Sequence, residues 1–167
     1  MTQLLYFYYG GHPDHKGRLL AEILRQDDDW LETTHDYIQW LFPLQKPSLA
    51  NTHAPLLSRT DVEAFSKDEI LRNHLRASLY RMLAFFGLAI SENSIQRANN
   101  WELRRTIWFD EHTHNSLRIS RMLESLRLLS LHADAEMLWN TLEELVRNEA
   151  RCGITPKSRS IWREIMS

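Results

Sequence analysis

Ile70, Leu71, Leu75, Leu79, Met82, Leu83 and Phe86 recur at three- and four-residue intervals and stop at Gly87, and this run constrains the chain more than any other feature. The spacing puts these side chains on one stripe of an α-helix, whereas a strand would divide them between two faces. Ser66 with Glu69 has the spacing of a capping box, and glycine just past the last apolar position is the usual stop. Such a helix is stable only when its stripe is covered, so the rest of the chain must supply further apolar faces.

Several segments do. Residues 4–9 are a short apolar and aromatic run before Gly10 and Gly11, read as extended or as a short helix. A helix is expected over 15–26 behind Pro13 and Asp14, with Leu19, Leu20, Ile23 and Leu24 as its stripe. Asp29 with Glu32 predicts a cap for a helix running to Leu41, with His35 and Asp36 in its middle and Pro43 as its stop. Residues 43–58, with three prolines and Asn51, read as an ordered loop. Thr60 with Glu63 starts a short helix, 91–100 reads as a polar connection, and WELRRTIWF as a short amphipathic helix. The segment NSLRISRMLESLRLLSL carries Ile119, Met122, Leu123, Leu126 and Leu129 on one stripe. A helix over 133–151 ends before Gly153, and Thr155 followed by Pro156 opens the last one. The expected fold class is all-α: a helical bundle of about seven helices with an ordered proline-rich loop.

With 167 residues, 43% of them hydrophobic, the chain suits one domain spanning 1–167. A net charge of -2 excludes the strongly basic surface of non-specific nucleic-acid binders, so no nucleic-acid partner is expected. Cys152 is the single cysteine and has neither a disulfide partner nor a CxxC neighbour, which fits a reducing compartment. No apolar run reaches the roughly 20 residues of a membrane span and no signal peptide precedes the first run, so a soluble, cytoplasmic protein is expected, with at most peripheral membrane contact.

The stretch HDYIQWLFPL sets His35, Asp36 and Gln39 among aromatic and aliphatic residues. On a helix, Glu32, His35, Asp36 and Gln39 share a polar face, which is either a solvated surface or a polar pocket covered by the loop after Pro43. Trp40 favours cover, because a bulky aromatic beyond Asp36 would otherwise expose a large apolar area. A second reading takes the His35-Asp36 pair, with His12 or His15 and with Asp110 or Asp134, as the metal set of a helical phosphohydrolase. His112 and His114 sit before a helix, where His114 or Asn115 reads as a cap rather than a zinc ligand. Arg118 and Arg121, one turn apart, present forked donors for an anion or for neighbouring carboxylates. No glycine-rich phosphate loop, GxSxG elbow, Cys-His pair or HExxH helix occurs, and no cofactor or metal is called for.

The ordered strings LLYFYYGGHPD, LETTHDYIQWLFPL, the Asn51 and Ala54-Pro55-Leu56 of NTHAPLL, RASLYRMLAFFGL and HTHNSLRISRMLESLRLLSL resemble the amino-terminal conserved domain of the opioid growth factor receptor family. That resemblance implies a helical domain. The animal members are described as receptors for a short enkephalin peptide at the nuclear envelope, and they carry a long polar tail with import signals that these residues do not include. Carried over by position, the family's motif residues are His35, Asp36, Gln39, Trp40, Phe42, Pro43, Asn51 and Pro55, then His114, Asn115, Arg118 and Arg121.

Together these readings give the expectation of a non-enzymatic binding module for a short peptide or small amphipathic ligand. Its candidate site residues are His35, Asp36, Gln39, Trp40, Phe42, Asn51, Asn115, Arg118 and Arg121. Trp40 is expected to offer an aromatic face and Arg118 or Arg121 to meet a carboxylate. A metal-dependent phosphohydrolase and a purely structural interaction domain are the alternatives.

Overall fold

The computed structural model describes residues 1–167. The chain divides into two compact units, one made of residues 1–79 with 128–130, the other of 80–127 with 131–167.

In the first unit, α1 (Gln3–Tyr8) starts at Thr2, whose hydroxyl accepts the Leu5 N–H at 3.2 Å. It buries Leu4, Leu5, Phe7 and Tyr8, so the aromatic run is helical. Phe7 packs on Trp40 with ring centroids 5.1 Å apart, Tyr8 packs edge-on against Phe65 at 5.1 Å, and the Tyr8 hydroxyl donates to the Leu41 carbonyl. Three short helices follow: α2 (Leu20–Leu24), α3 (Asp28–Thr33) and α4 (Ile38–Leu41). Residues 43–57 form a loop whose ends meet where Leu44 bridges Leu56 and the Leu57 N–H donates to the Leu44 carbonyl at 2.9 Å. Then α5 (Arg59–Lys67) is opened by a capping box between Ser58 and Asp61. The long helix α6 (Glu69–Phe86) places Leu71, Leu75 and Leu79 in this core.

In the second unit, α6 ends at Gly87, whose φ of 82° is left-handed and whose missing Cβ would lie 2.9 Å from the Trp101 Cα. A hairpin follows: β1 (Leu88–Ser91) pairs antiparallel with β2 (Ser94–Arg97), Ile90 facing Ile95, around a turn with Glu92 at φ 56°. The Thr141 hydroxyl donates to the outward carbonyl of Ile95 at 2.9 Å and so covers the edge of β2. Next come α7 (Trp101–Arg104), a 3-10 turn (Arg105–Ile107), α8 (Asn115–Leu128), α9 (His132–Asn148) and α10 (Pro156–Met166). Phe85, Phe86, Trp101, Trp108 and Phe109 are buried together, with the Trp108 indole N–H on the Phe86 carbonyl at 2.9 Å.

The expectation of an all-α bundle of about seven helices is therefore corrected: there are ten helices and a two-stranded antiparallel sheet. The hairpin was hidden because its strands are four residues each, straddle what reads as a polar connection, and turn through Glu92-Asn93 rather than through a glycine. One extra helix is α1, formed by the 4–9 run, and another comes from a split. The expected helix over 15–26 shrinks to Leu20–Leu24 because the Asp14 carboxylate accepts the Lys16 and Arg18 N–H groups in a turn that competes with helix. The helix expected to reach Leu41 is capped by Asp27, not Asp29, and stops at Thr34, whose backbone is extended, before α4 begins. His35 and Asp36 thus lie in a bend between two helices, and the shared polar face expected of one helix does not form.

A candidate ligand-binding edge

The bend between α3 and α4 faces the turn that opens at Asp14. The Arg18 guanidinium spans the two: its Nε donates to Asp14 at 2.8 Å and its Nη1 to Asp36 at 2.9 Å. Asp14 has no exposed side-chain surface and also accepts two backbone N–H groups, while Asp36 keeps 30% of its side chain in solvent. Two carboxylates sharing one guanidinium leave one negative charge over, and its accessible end is Asp36.

His15 stands between this pair and the core. Its Nδ1 accepts the indole N–H of Trp40 at 3.0 Å, so in this geometry the proton of the neutral ring sits on Nε2, 3.7 Å from the Asp36 carboxylate. Burial is the main force holding the His15 imidazole below its ordinary range; Arg18 and His53 act in the same direction, Asp14 and Asp36 against it. The exposed ring of His53 stacks on His15 with centroids 5.4 Å apart and 14° between planes.

The floor is a chain of amides. Gln39 donates to the His35 carbonyl at 3.1 Å and accepts from Asn51 at 3.2 Å, while the Asn51 Oδ1 takes the His53 N–H at 3.0 Å. Gln39 and Asn51 are buried, so these bonds tie the loop to the bend where water cannot compete. Of the residues expected here, Asp36, Gln39, Trp40 and Asn51 come together and His35 lies exposed beside them. Trp40 is 1% exposed and Phe42 is fully buried, so both are core side chains and neither offers a face to solvent.

Asn115, Arg118 and Arg121 stand in the second unit. Buried Asn115 donates to the Ile107 carbonyl at 3.2 Å and accepts from Arg118 at 3.4 Å, and the Arg118 guanidinium lies over the Phe85 ring at 5.9 Å. Burial lowers the pKa of Arg121, partly offset by Glu124. Just before α8 the Thr113 hydroxyl accepts the Asn115 N–H at 3.2 Å.

Arg18 and His53 are not among the residues that the sequence singles out, and His15 stands out there only as a metal ligand. Pro13-Asp14 followed by Gly17 was a legible turn signal, and it is the turn that delivers Arg18. No three His, Cys, Asp or Glu side chains converge in a way that would hold a metal ion. In the first unit the His15 Nδ1 is already engaged by Trp40.

Residues 5–154 match the family described as the opioid growth factor receptor (OGFr) conserved region. The human opioid growth factor receptor is 39% identical over 141 residues, covering 80% of this chain and 20% of the receptor. The mouse receptor is 38% identical over 135 residues, covering 77% and 21%. Mouse opioid growth factor receptor-like protein 1 is 40% identical over 117 residues, covering 66% and 24%. The matched stretch thus spans between a fifth and a quarter of the length of these relatives. No solved structure matches the chain. No helix is long and apolar enough to cross a membrane.

Proposed function

The chain belongs to the opioid growth factor receptor conserved-region family, and from that premise we propose that it is a non-enzymatic binding module for a short peptide or a small amphipathic ligand. The anchor is the edge formed by His15, Asp36 and His53, with His35 beside it. The observation that carries this reading is the unmatched charge at Asp36: Arg18 is shared with the fully covered Asp14, and His15, neutral, adds no positive charge. A protonated amine of the ligand supplies the missing charge as a charge-assisted hydrogen bond, and the exposed His53 ring offers an apolar face beside it. The buried Gln39-Asn51 bonds hold the anchor rigid, so little ordering is needed when a ligand arrives.

The reading rests on the first unit's residues. Relatives named as receptors support a binding role for the shared region. The test is a thermal-shift screen with short peptides and primary amines against wild type and Asp36→Asn: shifts lost in the variant support the anchor, and no shift from any member of the library removes it.

A further inference from the structure

We propose that the loop spanning residues 43–57 is held by an acid-sensitive latch: protonation of His15 draws its ring off Trp40 and His53 toward Asp36 and frees the loop. The loop is closed on itself at its ends, where Leu44 bridges Leu56. Elsewhere it is fastened by the Asn51 side chain, which donates to Gln39 at 3.2 Å, and by the His53 ring on His15 at 5.4 Å. The His53 N–H in turn caps the Asn51 Oδ1 at 3.0 Å, so the two fastenings brace each other.

The latch depends on one lone pair. Trp40 is 1% exposed and its indole N–H, a donor only, is bonded to the His15 Nδ1 at 3.0 Å. An imidazolium has N–H groups on both nitrogens and accepts nothing, so charging His15 sets donor against donor in a covered site. The charged groups facing the ring then decide where it goes. Asp14 and Asp36 attract it, while Arg18 and His53 oppose the charge. Asp14 already accepts Arg18 and two backbone N–H groups, whereas the Asp36 carboxylate lies only 3.7 Å from the His15 Nε2. The ring closes on Asp36, and the stack with His53 is lost. The device depends on no ligand, so it stands or falls separately from the binding role.

The test is amide hydrogen exchange, corrected for the intrinsic pH dependence of the rates, at pH 7.5 and pH 5.0, together with nitrogen NMR of the His15 ring. The expected result is an unprotonated His15 Nδ1 at the higher pH, and at the lower pH protection in 51–54 reduced at least ~10-fold more than that of 75–83 in α6. His53→Ala removes the stack but not the loop's ends, and is expected to show the acid level of loop exchange at both pH values. Loop protection that is unchanged while His15 titrates overturns the proposal. So does a loss of protection shared equally by α6, which would mean global destabilisation, and so does a His53→Ala loop that responds to pH as the wild type does.

Discussion

Arg18 holds Asp14 and Asp36 together, with its Nε 2.8 Å from one carboxylate and its Nη1 2.9 Å from the other. It fixes a turn near the start of the chain to the bend between α3 and α4, and it does so with a covered carboxylate on one side and a half-open one on the other. Removing the guanidinium strands Asp14, which has no exposed side-chain surface. Arg18→Met is expected to destabilise the fold by about 3 kcal/mol in urea denaturation, with Arg18→Lys intermediate because an ammonium cannot fork between the two carboxylates. A loss below ~1 kcal/mol for Arg18→Met would show that the pair is a surface ornament.

Trp40 does two separable things. Its ring fills the core against Phe7, and its indole N–H orients His15. Trp40→Ala is expected to cost about 3–5 kcal/mol through the cavity it leaves. Trp40→Phe keeps most of the packing, costs less, and lets the His15 imidazole titrate closer to its ordinary range, which proton NMR of the ring reads directly. Equal melting temperatures for the two variants would contradict the division.

Acid should weaken the first unit. The folded state holds the His15 pKa below the value near 6.5 of an unfolded chain, mainly through burial. Between those two values the unfolded chain binds the extra proton, so the contribution is fully present above about pH 6.5 and is lost as pH falls from there through the folded value. Urea midpoints between pH 7.5 and pH 5 are expected to fall more steeply for wild type than for His15→Gln. Parallel profiles would remove His15 as the source.

Gly153 is required for a reason of space. A Cβ there would lie 2.4 Å from the Glu111 Cα and 2.6 Å from the Asp110 carbonyl oxygen, both backbone atoms, and the Gly153 N–H donates to the Phe109 carbonyl at 2.7 Å. Gly153→Ala is expected to lower the melting temperature by several degrees, corresponding to about 1–3 kcal/mol of overpacking. An unchanged melting temperature would mean that the segment 149–155 can move away at no cost.

Long-period signals survived from sequence to structure and short-range competitions did not. The stripe from Leu71 to Phe86 is one helix stopped by Gly87, and Thr155-Pro156 opens α10 with the Thr155 hydroxyl accepting the Ser158 N–H at 3.1 Å. HDYIQWLFPL read as half a helix because its apolar spacing is helical, yet Thr34 turns extended and the Tyr37 hydroxyl reaches back to the Leu31 carbonyl at 2.7 Å. β-Branched Thr33 and Thr34 lower helix propensity only slightly, and the bond from Arg18 to Asp36 that holds the bend joins segments no local pattern relates. The polar members of the candidate site were legible as residue types. Arg18 and His53 were not, because their roles come from segments brought together by the fold, one by a turn at Asp14 and the other by a loop closed between Leu44 and Leu56.

The binding role proposed above requires that the partly open carboxylate of Asp36, backed by Arg18, His15 and His53, anchor a ligand amine. Its most direct test is NMR mapping of the isotopically labelled protein during titration with whichever peptide or amine gives the largest thermal shift, beside its amine-acetylated form. Shift changes concentrated at His15, His35, Asp36 and His53, and their loss on acetylation, are expected. Changes centred on other residues, or an equal response to the acetylated ligand, would contradict it.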